Sequence, residues 1–289
     1  MYTALTSAQT IMQGMYVDKF NEILGNEAEE NRLLQYAKDK GFNYLTLYRI
    51  SKLKIGLPGT DRDHLKAFIK KAKAQYGILK IGAVGETAGS FRKNIHPYNL
   101  AVMQAERFDV YNVEFEFWNQ KQIDRYYGDQ YLTKNGYAKT PAGALDFISG
   151  ELAEIRKMTR EIQGTELEMY VGWISEDACK RLPALTDRLL LAIYVTKSAN
   201  PEEKLYHWSK QTERLKMLAP NCPNTELRPI FAATEEFMGC WLKANKNGIQ
   251  KAWEIYLQDY RKNSGAWNRN VALTGFQWYR YSDLRTYNP

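Results

Sequence analysis

The chain has 289 residues, 44% of them hydrophobic and 25% charged, which excludes a disordered or low-complexity protein and supplies apolar surface for a large core. Its formal net charge is +7, but the basic runs Lys70-Lys71-Ala72-Lys73 and Arg156-Lys157 lie among acids on predicted helices and read as solvated faces, so nucleic acid is not the expected partner. No stretch reaches the ~20 apolar residues of a membrane helix, and the three cysteines, without CxxC spacing, indicate neither a disulfide framework nor a zinc knuckle.

In chain order, apolar patterning predicts strands over 14–18, 42–48, 78–84, 109–117, 167–174, 188–195, 227–234 and 274–280. Between them apolar residues recur at helical spacing, as in Leu65, Phe68, Ile69 and Ala72, then Leu145, Ile148, Leu152 and Ile155, then Ile249, Trp253, Tyr256 and Tyr260. Alternation of this kind implies parallel strands joined by crossovers, and eight of them close a (β/α)8 TIM barrel. A doubly wound open sheet is the competitor. It is disfavoured because the first strand-to-helix turn, 18–25, has no GxGxxG. One barrel domain is therefore expected over 1–289, its eighth outer helix missing because the chain stops nine residues after Arg280. A short helix over 3–13 is expected to cover that gap. The opening residues lack the layout of a secretory signal. That leaves either a cytoplasmic protein or a mature extracellular or periplasmic form whose leader has been removed.

Barrels of this kind carry their chemistry at the C-terminal ends of the strands. Those positions hold Tyr16 and Asp18, Tyr48, Glu86, then Asn112, Glu114, Glu116 and Trp118, then Trp173, Tyr194, Glu235 with Glu236, and Trp278. Side chains alternate faces along a strand, so Asn112, Glu114, Glu116 and Trp118 share one side, and Val113, Phe115 and Phe117 the other. Two carboxylates on one face raise each other's pKa and favour a shared proton. Carboxylates framed by Trp and Tyr suit hydrolysis of a glycosidic bond, which needs one protonated acid and one anionic or nucleophilic group. A Tyr-rich segment after the fourth strand (Tyr126, Tyr127, Tyr131, Tyr137) is a candidate wall for such a site.

The segment Asp109-x-x-Asn112-x-Glu114-x-Glu116 resembles the D-x-x-D-x-D-x-E signature of glycoside hydrolase family 18, the chitinases and endo-β-N-acetylglucosaminidases. The resemblance implies a glycan substrate containing N-acetylhexosamine, Glu116 as general acid, and Glu114 orienting the substrate's acetamido group. It extends to Tyr194, where the family has the Tyr of M-x-Y-D, and to Trp278, where the family has a Trp flooring the reactive subsite. Asn112 replaces an acid, Glu114 is longer than the family's Asp, and Val195 stands where that motif has Asp. By this reading Glu116, Glu114, Tyr194 and Asn112 are catalytic, while Trp278, Trp173, Trp118, Tyr48, Glu86 and Glu235 contact an oligosaccharide or polysaccharide. No cofactor and no metal are expected.

Two other layouts compete. Retaining glycosidases place an acid after the fourth strand and a nucleophile after the seventh, which Glu116 and Glu235 would match. A Schiff-base lysine at Lys197 is the weaker idea, since phosphate-cradling glycines are lacking. From another class, the altered motif fits a non-catalytic glycan-binding or scaffold barrel.

Overall fold

A computed structural model describes residues 10–195 and 208–289, with the side chains of 208–211 and 270 outside the description. The strands are β1 (Met12–Val17), β2 (Tyr44–Leu47), β3 (Lys80–Gly85), β4 (Val110–Val113), β5 (Glu166–Val171), β6 (Arg188–Ile193), β7 (Glu226–Ala232), β8 (Ala272–Leu273) and β9 (Gly275–Tyr279). Every pairing is parallel, β1 to β7 follow in sequence order, and β9 joins β7 to β1. The ring is a closed eight-stranded TIM barrel, and the two-residue β8 lies outside it against β7.

Helices between the strands coat the outside, each burying an apolar stripe. In the helix Pro141–Arg160, Leu145, Ile148, Leu152 and Ile155 are buried, Thr140 caps its start by accepting from the Gly143 N–H, and Pro141 occupies the first turn, where a missing N–H costs nothing. The helix Glu27–Asp39 is capped in the same way by Asn26.

Pleat parity decides what faces the barrel axis. From β1 to β7 the even-numbered residues point inward: Met12, Tyr44 and Val110 form one interior cluster, and Tyr16, Val84, Tyr170, Leu190 and Ile230 another. Odd-numbered residues such as Met15, Leu45, Ala83, Tyr111, Met169, Leu189 and Phe231 join the large core between strands and helices. In β9 the parity reverses, so that Gln277 and Tyr279 face inward while Phe276 and Trp278 face the helices. The break lies at Gly275, whose φ of +151° carries its Cα so close to β1 that a Cβ there would sit 1.9 Å from the Met12 carbonyl oxygen.

Both expectations about the chain ends need correction. After β9 comes a helix, Tyr281–Tyr287, whose Tyr281 and Leu284 are buried, so an eighth outer element is present. Asn288 fastens it by donating to the carbonyls of Asn245 and Lys246, each at 3.1 Å. At the other end Met12 and Gln13 belong to β1 instead of a helix; the earlier part of the expected helix, 3–9, lies outside the described residues, as does Lys197.

Candidate active site

The β4 ladder ends at Val113, one step earlier than the first carboxylate, but the Glu114 N–H still donates to the Gly85 carbonyl at 3.0 Å and preserves the pleat. The backbone then turns tightly, with Phe117 N–H donating to Phe115 O and Asn119 N–H to Glu116 O. Phe115 stacks on Tyr127 with ring centroids 4.0 Å apart and stays in the outer core. This anchors the turn so that Glu114 and Glu116 both open into a cavity of about 310 Å³ at the mouth of the barrel. Tyr48 from the end of β2, Glu86 from the end of β3 and Tyr170 from β5 complete its inner wall, and Tyr126 and Tyr127 its outer one. Three carboxylates thus share one cavity, and among the described residues that line it none is basic.

Their environments differ. Glu114 lies deepest, and burial, together with the neighbouring Glu116 and Glu86 charges, raises its pKa from 4.5 to about 7 against hydrogen bonds from Tyr48 and Tyr16 that work the other way. Glu116 lies nearer the rim and accepts from the Asn119 side-chain amide at 2.8 Å. Glu86 is exposed and accepts from the Tyr131 hydroxyl at 2.7 Å. Burial and the Tyr170, Glu114 and Tyr279 groups keep the Tyr194 phenol well above its ordinary pKa, so it stays a neutral hydrogen-bonding group facing the same interior. The arrangement can hold one proton among paired carboxyls at neutral pH and present it in a pocket with aromatic walls.

Below the cavity the interior is ionic. Arg188 is buried and donates to Glu168 (3.0 Å), Glu166 (2.7 Å) and Glu226 (2.9 Å). Burial alone would lower its pKa, but the carboxylates, Glu168 foremost, raise it. Glu168 also accepts from Tyr44 at 2.8 Å and from the Asn112 amide at 2.7 Å. A fully buried carboxylate is tolerable only with such a set of donors.

Several residues fall elsewhere than expected. Asn112 has no exposed surface: its amide donates to Glu168 and its carbonyl accepts from Tyr16 at 3.1 Å, so it belongs to the layer beneath the cavity and cannot touch a ligand there. Trp278 is also fully buried, but on the opposite face, packed on Phe231 with centroids 5.2 Å apart, because β9 runs in the reversed parity. Tyr279, one residue on, takes the inward position beside Tyr16 (5.9 Å). Glu235 sits exposed on the turn after β7 and is not among the residues that line the cavity with Glu116. Trp118 and Trp173 come together in a neighbouring groove outside the carboxylate cavity. Tyr48, Glu86, Glu114 and Glu116 do converge. Tyr170, whose even number on β5 marks it as inward, also lines the cavity. Gln122 and Gln130, also in the lining, sit in a helical excursion that carries no strand periodicity to reveal them.

No sequence-family model and no curated protein matches this sequence. Its structural neighbours are numerous and distant. The chain is similar to a β-glucuronidase of Bacteroides uniformis (TM-score 0.56, 11% identity), covering 94% of this chain and 31% of that one. It is similar to the catalytic domain of a β-amylase from Paenibacillus polymyxa (TM-score 0.55, 10% identity, 96% and 94% covered). It is also similar to a family 18 chitinase from Pseudoalteromonas aurantia (TM-score 0.51, 13% identity, 94% and 94% covered). The chain thus spans about a third of the glucuronidase and nearly all of the other two. At these identities the likeness establishes a shared barrel, a fold common to glycosidases of several families and not particular to any one of them.

Proposed function

We propose that the protein is a glycoside hydrolase that uses the Glu114–Glu116 pair to cleave a glycan. The observation that carries the reading is the Glu114 carboxyl, held at a pKa of about 7 inside a cavity at the C-terminal ends of the strands and flanked by Glu116 and Glu86. Burial of Glu114, and after it repulsion from the neighbouring Glu116 and Glu86 carboxylates, favours a proton on this carboxyl up to about neutral pH. Glu116, nearer the open side, passes a proton to the glycosidic oxygen as the anomeric C–O bond breaks. Water then adds its hydroxyl to the anomeric carbon and returns a proton to the carboxylate pair. Tyr48 and Tyr194 offer hydroxyls to the reacting sugar, and the similarity to barrels of glycosidases supports the same class. An N-acetylhexosamine substrate, with the acetamido group held by Glu114, is the finer reading and rests on the resemblance of the β4 segment to family 18.

The test is hydrolysis of aryl N-acetylglucosaminides and chitooligosaccharides. Glu114→Gln and Glu116→Gln should each lower kcat by about 10²–10⁴. A dinitrophenyl glycoside, whose leaving group needs no protonation, should recover activity in Glu116→Gln but not in Glu114→Gln. Recovery in Glu114→Gln alone would exchange the two roles. A second reading, a glycan-binding barrel without turnover, is favoured by the burial of Asn112 in the ionic layer, where family 18 has an acid of its signature. Saturable sugar binding with no hydrolysis by the unaltered protein would decide for it.

A further inference from the structure

Beside the carboxylate cavity, between the turn after β4 and the turn after β5, lies a groove of about 480 Å³ walled by Phe117, Trp118, Pro141, Leu145 and Trp173, with Asp177 at its edge. We propose that this groove is a second sugar-binding subsite of the same site, so that the substrate is a chain of sugar units and not a single glycoside. The inference rests on the glycosidase reading above.

The two spaces share a partition. Trp118 lines the groove, and its ring meets edge-on, at 5.6 Å, the ring of Tyr170, which lines the carboxylate cavity. A glycan lying in the cavity therefore needs only to pass over the Trp118 edge to enter the groove. Trp118 is held in place by the absence of a side chain at Gly172, where a Cβ would come within 2.5 Å of the indole nitrogen.

Trp173 is 54% exposed, unusual for so large an apolar ring, yet it is not loose. The Arg214 guanidinium lies 4.7 Å from the ring centroid. Arg214 is itself buried, donating to the carbonyl oxygens of Gly172 (2.7 Å) and Ala192 (3.1 Å), and burial lowers its pKa to about 10. A desolvated cation fixed by the backbone thus holds an indole whose remaining surface faces water. A preorganised flat apolar surface suits the C–H face of a pyranose, and the groove adds hydroxyl partners at its edges. Thr140 and Ser175 accept from helix N–H groups, which leaves their own O–H free to donate, and Asp177 can accept. On the opposite flank a cavity of about 310 Å³ containing Arg49 and Asn94 shares Tyr48 and Glu86 with the carboxylate cavity. The carboxylates therefore sit in the middle of a run of three compartments, which suits cleavage within a chain.

The test measures binding by calorimetry, with chito-, cello-, xylo- and laminari-oligosaccharides of two and six units as probes, using Glu116→Gln to prevent turnover. The six-unit form of the preferred sugar should bind at least tenfold more tightly than the two-unit form. Trp173→Ala should shrink that ratio by about tenfold, and Trp173→Phe should restore most of it. An unchanged ratio in Trp173→Ala, with binding otherwise intact, would overturn the subsite and leave the glycosidase reading standing. Failure of every probe to bind to, or be cleaved by, the unaltered protein would overturn both. Because Trp173 is largely exposed, its variants should keep the parent melting temperature, which checks that the ratio reports binding.

Discussion

Glu114 ties the chemistry to the stability of the fold. Its carboxyl has a pKa near 4.5 in the unfolded chain and about 7 in the folded one, so between these values the native state binds the extra proton. Stability from this group is fully present below about 4.5 and declines as pH rises through about 7, by on the order of 3 kcal/mol. Glu114→Gln, which removes the titration while keeping the shape, should flatten that decline and raise the melting temperature at pH 8 relative to the parent, while lowering kcat by about 10²–10⁴. Urea unfolding of both proteins at pH 4.5, 6 and 8 measures the difference; equal pH slopes would show that Glu114 is not the titrating group. The trade is typical of sites whose charge is kept for function.

At the level of single elements, the strand carrying Glu114 and Glu116 was readable because alternation of carboxylates with Val113, Phe115 and Phe117 survives even where the ladder stops, through the Phe115–Tyr127 stack. β9 was not readable in the same way. Its place at the end of the last strand and the resemblance to family 18 put Trp278 at the site, and nothing in residue type announces that the phase breaks at Gly275, whose backbone presses against Met12. The same limit applies to β5: its last paired residue is Val171, so Trp173 lies past the strand, where parity no longer fixes direction, and Tyr170 is the true inward aromatic. The reversal gives a prediction. Trp278→Phe should cost about 1–2 kcal/mol of stability through lost packing in the helix layer and leave kcat/KM within about twofold, whereas Tyr279→Ala should depress kcat/KM by at least about tenfold. Paired kinetics and thermal melts on the two variants separate an outward Trp from an inward Tyr. The opposite pattern would place Trp278 at the site after all.

Across the whole molecule, the barrel divides its interior into a structural half and a reactive half, and both are built from acids. In the lower half Glu168, Glu166 and Glu226 are neutralised by Arg188 and Arg228, with Tyr44, Asn112 and Gln277 completing the donor set around Glu168. In the upper half Glu86, Glu114 and Glu116 have tyrosines and amides, and among the described residues their lining offers no cation. Residue type alone cannot tell these halves apart: the distinction lies in whether an arginine on a neighbouring strand pairs with the carboxylate, as Arg188 on β6 does with its register partners Glu168 on β5 and Glu226 on β7, while Asn112, placed at the site by the resemblance to family 18, belongs to the ionic layer. Removing one partner of a buried pair leaves an uncompensated charge and costs about 3–5 kcal/mol. Arg188→Met should therefore destabilise strongly at pH 7, or prevent folding outright, because it leaves the fully buried Glu168 without its cation, whereas Glu226 keeps Arg228 and Glu166 keeps Lys80. Combining it with Glu168→Gln should recover part of the loss, since the fully buried charge disappears with its partner. In the upper half the order is reversed, and neutralising Glu114 stabilises. Chemical denaturation of Arg188→Met, of the double variant and of Glu114→Gln under one buffer condition compares the two halves directly. If Glu114→Gln proved as damaging as Arg188→Met, the upper carboxylates would have to be structural as well, and the cavity would lose its claim to chemistry.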